Sequence, residues 1–140
     1  MSRSTIIANL SARIDAVAGC KPARATFTAT EIPEHGTNGW FILWPDSETL
    51  GDEPGSLTQD TLAFRCELLW RIGDPPATAI GAAMDKAHAI RAKLRDGTLE
   101  AVDAGADVSI NVGTITYERA PSARHIVVSI PFSLDVYTSV

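Results

Sequence analysis

Apolar positions in this chain recur with two periods, and the switch between them divides the sequence into elements. Ile6, Ile7, Leu10, Ile14 and Val17 are spaced by three and four residues. That spacing places them on one side of a helix running from about Ser4 to Ala18. Ser2 or Ser4 can cap its start, and Gly19 is placed to end it. The β-branched stretch Ala25 to Ile32 predicts a strand. Pro33 and Gly36-Thr37-Asn38-Gly39 mark a turn. Trp40 to Trp44 is a short apolar run closed by Pro45, which predicts a strand buried on both faces.

Residues 45–60 contain two prolines, two glycines and no base, and predict a long loop. From Thr61 to Ile72 the period is two. Leu62, Phe64, Cys66, Leu68, Trp70 and Ile72 face a core, while Ala63, Arg65, Glu67, Leu69 and Arg71 mostly face water. Asp74 and Pro75 then open a second helix as N-cap and first-turn proline. Its apolar stripe is Ile80, Met84, Ala87, Ile90 and Leu94, widened by Ala79 and Ala83, and Gly97 stops it.

Val108, Ile110 and Val112 alternate as a strand. After Gly113 the apolar set moves to Ile115 and Tyr117, a phase change that a bulge at Gly113 explains. A hairpin through Arg119 to Ser122 leads to the last strand, where Ile126, Val128, Ile130, Phe132, Leu134 and Val136 alternate with more polar neighbours. Pro131 cannot donate to a ladder, so this strand is expected to be an edge or to kink there. The expected order is α-β-β-β-α-β-β. That predicts an α+β, two-layer sandwich with a mostly antiparallel sheet of four to five strands covered by two helices.

The 140 residues fit one domain, and the composition, 45% hydrophobic and 21% charged, is that of a globular protein. No apolar run of membrane-spanning length occurs. The N-terminal segment lacks the apolar block of a secretory signal, so synthesis in a cytoplasm is the expectation. Cys20 and Cys66 make no C-x-x-C pair, and Cys66 reads as a small buried hydrophobe.

Charge changes the picture more than its net value of −5 does. Residues 25–64 hold seven acids (Glu31, Glu34, Asp46, Glu48, Asp52, Glu53, Asp60) and neither Lys nor Arg. Residues 65–95 hold six bases (Arg65, Arg71, Lys86, Arg91, Lys93, Arg95) against three acids. Such polarity suits head-to-tail packing of copies, and it equally fits two solvated faces.

The sequence offers little chemistry. His35, His88 and His125 share no metal-ligand spacing. Asp46, Glu48 and Asp52 do not match a calcium-loop pattern. Nucleophile-elbow, phosphate-loop and dinucleotide signatures are absent from the sequence. Trp40, Phe41 and Trp44 are not interleaved with bases as a nucleic-acid stacking platform requires. The expectation is a non-enzymatic protein with no cofactor and no metal.

The segment Ala63-Phe64-Arg65-Cys66-Glu67-Leu68-Leu69-Trp70 is followed by Asp74-Pro75-Pro76 and an Ala-rich helix. Ile115-Thr116-Tyr117-Glu118-Arg119 and the long alternating stretch Ile126 to Tyr137 complete the chain. In this order and these lengths the chain, from Ser4 to Val140, resembles the tail terminators (tail-completion or head–tail joining proteins) of long-tailed bacteriophages and gene-transfer particles. The resemblance implies a virion protein that assembles in the host bacterial cytoplasm as a homo-hexameric ring on the tail tube. Its partners would be copies of itself, the tail tube protein and the head connector, with DNA passing through the lumen and no membrane involved. Asp46, Glu48, Asp52, Glu53 and Asp60 would face the lumen or a neighbouring ring. Arg65, Arg71, Arg91, Lys93, Arg95 and Tyr137 would make subunit contacts. Other neck or tail subunits (stopper, tube, baseplate adaptor) share this architecture. A small-ligand-binding α+β domain, with Trp40, Trp44 and Trp70 lining its pocket, is the alternative from another class.

Overall fold

The computed structural model describes residues 3–17, 20–22, 40–51, 57–73, 76–95, 107–119 and 125–139. The expected strand over residues 25–32, the turn at 36–39, the caps Gly19, Asp74, Pro75 and Gly97, and the hairpin residues 120–122 lie outside these. So do Asp52 and Glu53.

Helix α1 spans Arg3–Asp15. Ile6, Leu10 and Ile14 are buried, whereas Ile7 lies off that stripe and is exposed. The Val17 N–H donates to the Ile14 carbonyl and the Cys20 N–H to the Val17 carbonyl, both at 3.0 Å. These three-residue spacings tighten the chain after α1 and return Cys20 to the core.

Five strands form an antiparallel sheet: β2 (Trp40–Thr49), β3 (Leu57–Arg71), β4 (Asp107–Val112), β5 (Thr116–Arg119) and β6 (His125–Ser139). The two-residue β1 (Lys21–Pro22) precedes them in the chain and pairs parallel to the start of β2. Spatially the order is β1-β2-β3-β6-β4, with β5 also on β6. The α+β class with two helices is as the sequence predicts.

Strands β3 and β6 each run 15 residues and pair over their whole length, from Leu57↔Ser139 to Arg71↔His125. At about 3.4 Å per residue this ribbon is roughly 50 Å long. On one face it carries Leu62, Phe64, Cys66, Leu68 and Trp70 opposite Leu134, Phe132, Ile130, Val128 and Ile126. All ten are buried. The Phe64 and Phe132 rings stack with centroids 5.7 Å apart. Both helices seal this face, since their buried residues join those of the strands in one cluster.

Helix α2 spans Pro76–Leu94 and buries Ala83, Ala87, Ile90 and Leu94. Ile80 and Met84, expected in the core, are each 42% exposed. The helix lies down on its alanines, which allow closer approach to the sheet than the larger side chains would.

The expected loop at residues 45–60 is mostly strand. Residues 45–49 continue β2 and residues 57–60 begin β3, so only 50–56 connect them. The register shifts between Pro45 and Ser47. Beyond Phe41, β2 has β3 as its single partner among the described residues. An edge strand with a bulge accommodates Pro45, which has no N–H to donate. The run 40–44 is not buried on both faces: Phe41 is buried and Trp44 is 48% exposed. Near the tip, the Gly51 N–H donates to the Asp60 carboxylate at 2.9 Å. A Cβ at Gly51 would stand 2.5 Å from the Gln59 carbonyl oxygen, so only glycine fits.

Pro131 neither ends nor exposes β6, which is flanked by β3 on one side and by β4 and β5 on the other. The Gly113 N–H donates to the Pro131 carbonyl at 2.7 Å. In an extended strand a residue's N–H and C=O point the same way. The donor that Pro131 lacks is therefore missing where residues 113–115 interrupt the partner between β4 and β5. The expected bulge at Gly113 is this interruption, and a Cβ there would lie 3.2 Å from Pro131 Cγ.

Both thiols are free and buried. Desolvation raises the pKa of Cys66 strongly, and that of Cys20 in the same direction. An unfolded thiol ionises near pH 8.5. Above that pH the unfolded chain releases a proton that native Cys66 keeps, so stability falls as pH rises. Below it the thiol contributes no pH dependence. Urea titrations between pH 8.5 and 10 are expected to show this loss, with Cys66 contributing at most about 1.4 kcal/mol per pH unit. Cys66→Ala is expected to remove that share of the slope.

Candidate functional site

Strand alternation gives the sheet a second face, and no described helix covers it. Trp44, Arg65 and Pro131 line up across β2, β3 and β6, and Thr61 aligns with Asp135 and Ser109 across β3, β6 and β4. Leu69, expected to face water, is buried on this side between its register partners Trp40 and Val127. Its apolar cross-strand neighbours keep water off it. A shallow cavity of about 290 Å³ sits on this face, lined by Asp46, Ala63, Asn111, Gly113, Pro131 and Ser133 among others.

Several polar groups of this face bond across strands. Asp135 accepts from the Thr61 hydroxyl at 2.9 Å and from the Asn111 amide at 3.5 Å, tying β3 and β4 to β6. Arg65 lies 3.5 Å from Asp46 on β2 and 3.4 Å from Glu67 on its own strand. The Arg65 side chain is 39% exposed, so water screens these pairs. Both Asp135 oxygens are engaged by neutral donors, and Arg65 is held between two carboxylates. Such groups brace a surface.

The described residues singled out in the sequence do not gather in one place. Asp46 and Glu48 lie on β2 and Asp60 on β3, in the arm that replaces the expected loop. Arg91 and Lys93 lie in the last turn of α2, and Arg95 follows it. Arg71 ends β3, and Tyr137 on β6 stands in register with Gln59 and Asp107. Arg65, expected at a subunit contact, is paired within the chain. The three tryptophans do not converge: Trp70 is on the helix-covered face, Trp40 and Trp44 on the opposite one, and none lines the cavity.

Among the described residues, no group of three or more His, Cys, Asp or Glu is placed to hold a metal ion. His88 is exposed and His125 buried, and His35 lies outside the described residues. No helix among the described residues is long and apolar enough to cross a membrane. Sequence reasoning missed Asp135 and Asn111, whose polar character reads as ordinary solvent-face alternation. Only the β3–β6–β4 register shows that they meet. No protein-family model and no curated protein matches this chain.

Asp135→Ala is expected to cost about 0.5–1.5 kcal/mol in urea unfolding, because the part-buried Thr61 hydroxyl loses its acceptor. Arg65→Ala is expected to cost less than about 1 kcal/mol, as partly exposed ion pairs do.

Proposed function

We propose that this chain is a structural subunit that acts by assembling with copies of itself, and specifically a tail terminator of a long-tailed bacteriophage or related particle. The reading treats the fold as a two-layer α+β sandwich, with the strand expected before the last one divided at Gly113 into β4 and β5. Six copies form a ring on the last ring of the tail tube. One ring face matches the tube, and the other refuses a further tube subunit and meets the head connector. The mechanism is steric, without bond making or breaking, and the site of action is the virion's head–tail interface.

One observation carries the assembly part of this reading. An antiparallel sheet has one face sealed by helices and the other left partly open, and on that open face Thr61, Asn111 and Asp135 bond across strands. This is the construction of a contact surface. The terminator part rests on the resemblance of segments 63–76 and 115–137. The acid-rich stretch suits either a lumen that repels passing phosphates or a neighbouring subunit.

Negative-stain imaging and sedimentation of the purified chain test the proposal. Rings of six-fold symmetry, one or a few layers thick, that stop the growth of polymerising tail-tube protein are the expected result. Long tubes of this chain alone would assign it to the tube. A lasting monomer whose melting temperature rises with a small ligand would contradict self-assembly.

A further inference from the structure

Four of the exposed large apolar side chains fall on two elements that also carry charge. Trp44 and Leu50, 48% and 62% exposed, belong to the β2–β3 arm that carries Asp46, Glu48 and Asp60. Ile80 and Met84, each 42% exposed, belong to α2. On α2 they are not isolated. Ile80, Met84, His88, Arg91 and Arg95 recur at spacings of four, four, three and four, which is one helix face. The Arg95 N–H donates to the Arg91 carbonyl at 3.0 Å, so the turn carrying Arg95 continues the helix. This stripe is apolar at its N-terminal half and basic at its C-terminal half. It runs beside the buried stripe of Ala83, Ala87, Ile90 and Leu94.

We infer that the α2 stripe of one copy receives the acidic β2–β3 arm of the next copy, in a head-to-tail contact. The inference rests on the self-assembly reading above and names the two surfaces that meet. Three observations select this occupant. Both patches pair exposed apolar groups with charge: Leu50 follows Glu48 at the outer end of the arm, and Ile80 and Met84 share a stripe with Arg91 and Arg95. The charges are of opposite sign, since the outer part of the arm carries Asp46, Glu48 and Asp60 while Arg91 and Arg95 end the α2 stripe. The two patches also stand apart in the chain: the apolar members of each remain exposed in the single subunit, so neither covers the other. Two different patches on one molecule make a heterologous contact, which yields a closed ring when the rotation closes. Opposite potentials would set the register and reject like-with-like docking.

Charge reversal on each side gives the test. One variant carries R91E and R95E; the other carries D46K and E48K. R91E/R95E makes both contact surfaces acidic, and D46K/E48K cancels most of the arm's negative charge, so neither variant alone keeps the native attraction. Each is expected to need at least about tenfold more chain than wild type to assemble, followed by sedimentation velocity at low salt. Mixed in equal amounts, the two variants restore one native contact and relieve the repulsion at the other, and are expected to co-assemble as alternating rings. Co-assembly also shows that both variants fold. Variants that assemble alone like wild type would overturn the inference and leave the ring reading standing, because wild type still forms rings. A mixture that stays dissociated while each variant keeps the wild-type far-UV spectrum and melting transition would overturn it too. Duplex DNA that binds wild type and not R91E/R95E, with assembly unchanged, would reassign the stripe to nucleic acid. A wild-type chain that remains monomeric at millimolar concentration would remove both readings.

Discussion

The β3–β6 ladder is the constraint on which the other elements depend. It joins two 15-residue strands without a break in register, although strands of five or six residues are usual. Because side chains alternate, this single pairing decides what faces the helices and what faces outward over the length of the sheet. A slip of one residue would turn Leu68, Ile130 and their neighbours out and bring Arg65 and Asp135 in. The apolar face prevents that slip. The Thr61–Asp135 hydrogen bond and the Phe64–Phe132 stack fix the same register from opposite faces.

The ladder also tolerates features that would weaken a lesser strand. Pro131 sits mid-strand because its missing donor falls at the β4–β5 interruption, where Gly113 lets the two backbones close to 2.7 Å. Pro45 sits on an edge. The helices cover one face, with α2 resting on alanines, and this leaves Ile80 and Met84 beside Arg91 outside the core. The rigid ribbon thus holds an acidic arm on β2 and a basic helix end, each with apolar groups at its surface. The self-assembly we propose needs two such surfaces held at a fixed separation, which a continuous ladder provides.

Much of this was legible in the sequence where an element faces the core. The period of two in Leu62–Trp70 and Ile126–Val136 and the spacing of Ile6, Leu10 and Ile14 report burial directly. Residues 45–49 were not legible because an edge strand exposed on both faces has no apolar alternation to show. Only pairing to β3 makes it a strand. Ile80 and Met84 misled because hydrophobicity alone ranks them above Ala79 and Ala83, whereas close helix-to-sheet packing favours the small residues. The choice of β6 as neighbour of β3 lies 74 residues away at the Thr61–Asp135 pair, and local periodicity carries no information about it. The same distance hid the bracing role of Asp135.

Amide hydrogen exchange of the single subunit tests the claim that this ribbon is the spine. The account predicts that amides of β3 between residues 62 and 70 and of β6 between 126 and 136 exchange last, at the free energy of global unfolding. Amides of α1, α2 and the outer part of β2 should open earlier. Helix amides that stay protected after the β3–β6 amides have exchanged would contradict it.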